Sequence, residues 1–237
     1  MHNYSEIRAQ VTKKMDVLIR ANQPDIDLNT PIYAINWFST KIEWLYHFYN
    51  LLASRSLIKV KGRALFKGKV TETLIDDHQG RRDLLLIVRY PSGQNFKELM
   101  QSTYFKTVSI FRIMSVKKFT FGFTHKIAVE TKSRKSDKLH YAIHHFKVDQ
   151  EAPQVLHEIQ TSTPDNISIK YGGHIIADLL SQKKDKEPRQ VPNLMDAIVI
   201  YQSQSEDELR SYLKSESYQG ILEKLPSNHI SLLNRII

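Results

Sequence analysis

The 237-residue chain contains no cysteine, and this absence removes several kinds of site at once. Without thiols it has no disulfides, no thiolate metal ligands and no cysteine nucleophile. No apolar run approaches the ~20 residues needed to span a bilayer. The first residues, Met-His-Asn-Tyr-Ser-Glu, lack the basic start and apolar core of a secretory signal. We therefore expect a cytoplasmic protein, although a non-standard secretion signal would leave no visible mark.

Motifs for phosphate and serine-hydrolase chemistry are also missing. Five residues separate Gly62 from Gly68, whereas a phosphate-binding loop has four and continues as Gly-Lys-Ser/Thr. No Gly-x-Ser-x-Gly elbow is present. Adjacent His144 and His145 would point to opposite faces of a strand, so they cannot readily share one ion. We expect no metal site and no resident cofactor, while haem, which needs a single axial histidine, and flavin stay open.

Positive charge is concentrated in the first part of the chain. Residues 1–138 carry 24 Lys and Arg against 12 Asp and Glu, whereas residues 139–237 carry 10 against 13. The formal net charge is +9. Such asymmetry suggests an anionic partner for the first part. Basic residues scattered over a solvated surface would give the same counts, and the sequence leaves both readings open.

A six-residue stretch occurs twice in the chain. Tyr33-Ala34-Ile35-Asn36-Trp37-Phe38 returns as Tyr141-Ala142-Ile143-His144-His145-Phe146, with four of six residues identical. Similar segments follow both copies. This repetition predicts one α+β module used twice, over residues 31–130 and 139–237. An amphipathic helix and a connector are expected before it, over residues 1–30.

Hydrophobic periodicity predicts the order β-α-β-β-α-β in each module. Such a split βαβ unit, as in ferredoxin-like folds, forms a four-stranded antiparallel sheet with both helices on one face. The opposite face of each sheet is mostly apolar and must be buried. Two sheets in one chain can bury these faces against each other.

The segment 59–70 alternates strictly between basic or larger side chains and small apolar ones. Period-two alternation predicts a strand with one apolar and one basic face. The basic face supplies candidates for an anion-binding surface: Lys59, Lys61, Lys67 and Lys69. It could serve nucleic acid. It could equally be an edge strand whose charges prevent aggregation.

Some of these residues resemble a known family. Lys61–Gly68 and Tyr171–His174 look like the Gly-Gly-Arg second strand of the domain-of-unknown-function 1330 family. That family's third strand and second helix are similar to Val88–Ser92 followed by Phe96, Met100, Ser102, Tyr104 and Arg112. In the second module, Tyr201-Gln202-Ser203 replaces Tyr-Pro-Ser, and no arginine follows Tyr218.

The resemblance implies the dimeric α/β-barrel superfamily, whose members pair two ferredoxin-like subunits through their sheets. Here the pair would be fused. The expected fold is thus α+β: two tandem ferredoxin-like βαββαβ modules packed as an intrachain dimeric α/β barrel, with an extra N-terminal helix. Relatives in the superfamily include cofactor-free monooxygenases, haem-degrading enzymes, isomerases and ligand-sensing domains, so fold alone does not choose a function.

Polar residues on the matched strands are candidates for a small-molecule site between or beside the sheets. Polar groups among apolar walls are typical of a ligand pocket, and a histidine beside Asp or Arg could act as acid or base. They could equally be hydrogen-bonded core residues. The candidates are Asn36, Trp37, Arg63, Arg89, His144, His145, His174 and Asp196.

The sequence thus favours a small-molecule-binding, cofactor-independent enzyme-like protein. It leaves open whether the protein is catalytic. The alternative is a non-catalytic interaction module whose basic strand face binds nucleic acid or an acidic partner. Either would be a monomer with an intrachain pseudo-dimer, or a homodimer.

Two measurements separate these functions. A nucleic-acid module predicts binding to DNA or RNA that weakens steeply with salt, because bound cations displace counterions. A ligand pocket predicts thermal stabilisation by a member of a panel of flavin, haem, quinones and aromatic acids.

Overall fold

The computed structural model describes residues 29–76, 82–126, 139–149, 152–178 and 195–236. The expected N-terminal helix, most of its connector and the linker between the modules lie outside these residues. In the described ranges the strands are β1 Ile32–Thr40, β2 Arg63–Asp76, β3 Leu84–Tyr90, β4 Val116–Lys126, β5 His140–Phe146, β6 Ser168–Asp178, β7 Ala197–Ser203 and β8 Asn228–Arg235. The helices are α1 Glu43–Lys59, α2 Gly93–Gln101, α3 Thr103–Ser115, α4 Ala152–Ser162, α5 Glu206–Leu213 and α6 Glu216–Leu222.

The eight described strands form one closed barrel in the order β1-β3-β2-β8-β5-β7-β6-β4. All neighbouring strands are antiparallel. The first half contributes β4-β1-β3-β2 and the second half β8-β5-β7-β6, joined at the β2–β8 and β4–β6 seams. Because β2 pairs with both β3 and β8, its interpretation as a charged edge strand is wrong.

Side chains alternate between the barrel interior and a helical outer layer, as the period of a strand requires. In β1, Ile35 and Trp37 point into the interior cluster. Ala34 and Phe38 point outward and belong to the clusters under α1–α3. The second half repeats this arrangement, with its outer cluster packed under α4–α6. The two halves therefore share one interior core, and each packs its outer face against its own helices.

Serine caps begin helices at matched places in the two halves. Ser92 accepts a hydrogen bond from the amide of Asn95, at 3.3 Å, and starts α2. Ser205 does the same for α5, accepting from the amide of Glu208 at 3.4 Å. Ser102 and Ser215 cap α3 and α6 in the same way. Such a cap satisfies a free amide of the first turn. The second helix of each half is therefore broken into two.

The segment Thr40-Lys41-Ile42-Glu43 has the spacing of a capping box, a hydroxyl followed three residues later by a carboxylate, but it does not form one. Helix α1 begins after Ile42, which makes no side-chain cap bond. Thr40 instead ends β1, and its amide donates to Asp83 Oδ2 at 3.1 Å. Thr40, whose hydroxyl would cap the helix, is instead the last residue of β1.

The strand expected over residues 59–70 starts later than its alternation indicates. Lys59 is the last residue of α1, and Lys61 has a positive φ of 57° in the turn that follows. Strand β2 begins at Arg63, and its register shifts between Ala64 and Phe66. The alternating pattern runs across the end of α1 and a bulge in β2, so its basic residues do not all lie on one face of a strand.

Helix α1 carries an apolar row on its solvent side. Trp44 is 70%, Leu51 68% and Ile58 72% exposed. That an N-terminal helix covers a face of the first module stays a prediction, since residues 1–28 lie outside the described part. None of the described helices has the length and apolar content to cross a membrane.

A glycine substitution at the β4–β6 seam tests the packing there, and a glycine substitution in α6 is its comparison. A Cβ at Gly173 in β6 would lie 2.9 Å from the backbone oxygen of His125. Gly173→Ala should therefore lower the free energy of unfolding by about 1–3 kcal/mol, because the paired backbone cannot move away freely. Gly220 in α6 has open space around it. Gly220→Ala should raise that free energy by about 0.5–1 kcal/mol. Denaturant titration checks both, and equal stabilities would contradict the tight seam.

Candidate functional site

A cavity of about 430 Å³ lies between the outer face of the first half-sheet and helices α1–α3. This volume is within the usual range for small-molecule pockets. Most of the lining is apolar and includes Leu57, Leu86, Val88, Phe96, Leu99, Met100, Phe105, Phe119 and Phe121. The polar lining residues are Asn36, His47, Tyr49, Asn50, Ser54, Lys67, Tyr90 and Arg112.

Small side chains on three elements leave this space open. Ala53 comes from α1, Ala64 from β2 and Val88 from β3, and all three line the cavity. Val88 lies opposite Ala34 in the sheet. Neither residue is large enough to fill the gap beneath the helices.

The matching space in the second half is occupied by a tyrosine. Tyr201 lies opposite Ala142, as Val88 lies opposite Ala34, so the two positions are equivalent. Tyr201 is fully buried. Its ring centroid is 5.6 Å from that of Tyr212 and 5.9 Å from that of Tyr218. The strand register also shows that Ser203, and not Tyr201, is the equivalent of Tyr90.

His144 belongs to a closed hydrogen-bond network under the second half-sheet. Its Nε2 lies 2.8 Å from Asn228 Oδ1, and its Nδ1 lies 2.8 Å from the hydroxyl of Tyr218. A neutral ring that donates to Asn228 and accepts from Tyr218 satisfies all three groups. Burial lowers the pKa of His144 to about 4, although the Asn228 bond opposes the shift. His144 is therefore a satisfied core histidine and does not face the cavity.

Trp37 and His145 point into the barrel, which is filled by side chains. Their ring centroids are 4.4 Å apart, and that of His229 is 4.7 Å from Trp37. Both ring nitrogens of His145 are buried without a hydrogen-bond partner among the described residues. Burial holds the pKa of His145 well below its usual value. The cavity of about 430 Å³ lies beside the first half-sheet, under the helices, and these two candidates do not line it.

The remaining candidates do not come together. Arg63 is exposed and lies opposite Arg89 at the end of β2. His174 lies near His125 at the β4–β6 seam, with ring centroids 5.6 Å apart. Asp196 is exposed and accepts a hydrogen bond from the amide of Val148 at 3.0 Å. Of the eight residues considered from sequence, only Asn36 lines the cavity, and its side-chain amide donates to the oxygen of Leu86 at 3.3 Å.

The four lysines expected to form an anion-binding surface also separate. Lys67 is only 6% exposed, and its ammonium lies 5.1 Å from the ring centroid of Tyr46. Lys69 is exposed and lies 3.5 Å from Glu43. Lys59 and Lys61 are exposed at the end of α1. Lys67 and Lys69 lie opposite Leu86 and Leu84 on the outer face of the barrel, whereas Lys59 and Lys61 precede the strand. A continuous basic face therefore does not form.

Sequence reasoning missed part of the cavity lining. Tyr49 and Asn50 come from α1, whose high aromatic content was the available signal. Arg112 was named only through the family resemblance, and it lines the cavity from α3. Burial raises the pKa of the Tyr49 and Tyr90 phenols, and Arg112 partly opposes both shifts. These phenols are therefore neutral hydrogen-bonding groups.

The cavity offers little to a metal ion. Within the described ranges, no group of three His, Asp or Glu side chains is placed to hold one. His47 is the histidine among the lining residues, and it is paired with Glu43 at 3.7 Å. If haem bound in this cavity, His47 would be the lining residue able to provide an axial ligand to its iron.

Solved structures identify the fold. The sequence matches no protein-family model and no curated protein. Two structures titled "putative monooxygenase" superimpose on most of the chain. The one from Lactobacillus acidophilus has a TM-score of 0.52 and 16% identity, over 87% of this chain and 94% of that one. The one from Fusobacterium nucleatum has a TM-score of 0.57 and 11% identity, over 88% and 93%.

The chain has the dimeric α/β-barrel fold. An anthrone oxidase-like protein has the same fold, with a TM-score of 0.54 and 10% identity over 90% of this chain and 95% of that one. In this chain a single polypeptide supplies all eight strands of the barrel. Identities this low show the fold alone, and the resemblance to the domain-of-unknown-function 1330 family is not confirmed.

The buried His144 predicts a specific loss of stability in acid. Below its usual pKa of 6.5 the histidine of the unfolded chain takes up a proton, whereas folded His144 does not until about pH 4. Stability should therefore fall as the pH drops from 6.5 towards 4. His144→Gln should reduce the loss between pH 7 and pH 4.5 by about 2–3 kcal/mol.

The control is His157→Gln, on the exposed side of α4. Denaturant titrations across this pH range should give the control the same acid loss as the unaltered protein. A His144→Gln variant with an unchanged acid loss would show that His144 titrates normally.

Proposed function

We propose that the barrel binds an apolar small molecule in the cavity beneath α1–α3 and is an enzyme-like protein without a resident cofactor. The observation that carries this proposal is the cavity of about 430 Å³ with mostly apolar walls. In the second half the corresponding position holds Tyr201. A gap under well-packed helices costs stability unless something occupies it.

The polar residues of the cavity support a specific ligand over a packing defect. Asn36 and Lys67 are both more than nine-tenths buried, yet both line the cavity. Pockets with apolar walls and a few fixed polar groups are the usual sites for small molecules. The structural similarity to two putative monooxygenases and to an anthrone oxidase-like protein agrees with a small organic ligand. The fold does not determine which reaction, if any, is catalysed.

Lys67 is the candidate acid–base group if the bound molecule reacts. Burial lowers the pKa of its ammonium, and Glu43 opposes the shift. A lysine that loses its proton more readily can accept one from a substrate. Its position in the cavity wall supports this role.

The proposal also interprets the barrel as a tandem duplication of ferredoxin-like modules, at residues 31–130 and 139–237. The matched order of elements and the paired serine caps support this. A single chain then suffices to form the barrel, and no partner subunit is needed for its closure. The alternative, an interaction module with a basic strand face, is not favoured by the positions of Lys67 and Lys69.

A substitution at Val88 tests the site. Val88→Tyr gives the first half the residue of the second and should fill the cavity. A member of the panel of flavin, haem, quinones and aromatic acids at 100-fold its dissociation constant stabilises by about 2.7 kcal/mol. For a chain of this size that shifts Tm by about 5–10 °C. Val88→Tyr should abolish the shift.

Val88→Ala is the matched control, because it enlarges the same cavity and should keep the shift. Circular dichroism checks that both variants fold. A shift that survives in Val88→Tyr would contradict this location. A protein that no panel member stabilises, and that carries no small molecule in native mass spectrometry, would contradict the function.

A further inference from the structure

The charge of the cavity is one-sided. Lys67 reaches it from β2 and Arg112 from α3, and none of the described lining residues is an aspartate or glutamate. The nearest acid that acts on Lys67 is Glu43. Glu43 is engaged elsewhere, 3.5 Å from Lys69 and 3.7 Å from His47. The cavity thus has two cations without a carboxylate of its own.

Lys67 is a buried cation without a polar partner. It is 6% exposed, and its close contact is the Tyr46 ring, 5.1 Å from the ammonium to the ring centroid. Within the described part of the chain, its ammonium makes no hydrogen bond and no ion pair. A buried charge is costly unless it is paired and hydrogen-bonded. A face-on aromatic ring compensates for only part of this cost.

Arg112 also has hydrogen-bond donors without an acceptor among the described residues. Its guanidinium carbon lies 4.8 Å from the ring centroid of Phe119. In the described ranges its nitrogens donate no hydrogen bond. A guanidinium has five donors in a fork that fits a carboxylate. The contact with Phe119 leaves this fork available to a molecule in the cavity.

The surrounding side chains cannot supply the negative charge. Tyr46, Tyr49 and Tyr90 lie near Arg112, and burial raises the pKa of each phenol. They stay neutral at physiological pH. Glu43 makes no ion pair with Lys67, and no described acidic side chain pairs with Arg112, so both cations can take a countercharge from the molecule that occupies the cavity.

We propose that this occupant is an apolar, ring-containing molecule with one anionic group, a carboxylate or phenolate, held by Arg112 and Lys67. The inference rests on the proposed function and specifies its ligand class. The apolar body lies against the side chains of α2 and β4, including Phe96, Leu99, Met100 and Phe121. The anionic group pairs with the two cations that the protein itself leaves unpaired.

Matched probe pairs test the anionic group. 2-Naphthoate and 2-naphthamide have the same ring body and differ in charge, as do 9-anthroate and its amide. Calorimetric titration of the full chain at neutral pH gives the dissociation constants. We expect at least one acid to bind about tenfold tighter than its amide, because interactions with charged groups exceed those with neutral ones.

Charge-removing variants assign the residues. Arg112→Gln and Lys67→Met should each weaken acid binding by about 10- to 100-fold and change amide binding by less than about threefold. Lys59→Met is the control, since Lys59 is exposed at the end of α1 and does not line the cavity. It should leave both affinities unchanged. Thermal unfolding of each variant verifies that it is folded.

The binding data separate three claims: the anionic ligand, its recognition by Arg112 and Lys67, and the location of the site. An amide that binds as tightly as its acid, with both blocked by Val88→Tyr, overturns the anionic ligand and leaves the small-molecule function intact. The anionic ligand is likewise overturned if no acid binds but a neutral member of the panel does, and if Val88→Tyr abolishes the binding of that neutral ligand. An acid preference unchanged in both Arg112→Gln and Lys67→Met overturns the assignment of these residues. Probe binding that is insensitive to Val88→Tyr removes the proposed site itself.

Discussion

Backbone pairing at the two seams determines where everything else in this protein lies. Each half-sheet has two edges whose amides and carbonyls need partners, and the β2–β8 and β4–β6 ladders supply them. An eight-stranded barrel closed in this way is just wide enough for side chains to fill its interior. Trp37, Ile143 and their neighbours do so. The space for a ligand lies outside the barrel, between the first half-sheet and its helices.

The two halves build this outer layer with different side chains on one frame. In the second half, Tyr201 fills the layer, and Tyr218 and Asn228 satisfy His144. In the first half, Val88 stands at the position of Tyr201 and Asn36 at that of His144. One half is a closed polar and aromatic core. The other has an open cavity that Lys67 and Arg112 line with positive charge.

The repeat and the hydrophobic periodicity predicted the order of strands and helices from sequence, because both signals are local. The faces of β2 did not follow, since a bulge after Ala64 and the end of α1 interrupt a pattern that looks continuous. The cavity was also hidden. It arises from missing volume where Ala53, Val88 and Arg112 meet, and these lie on elements far apart in the chain. Periodicity reports which way a side chain points and not how much space it leaves.

Closing the barrel within one polypeptide has a further consequence. In a barrel of identical subunits, one gene specifies both halves, so a change that opens a hollow on one side opens it on the other. Here each half is written separately in the gene. Evolution can widen or recharge the compartment near Arg112 while the opposite side stays tightly packed and anchors the fold. Separate encoding thus lets one side change its ligand while the other preserves the scaffold.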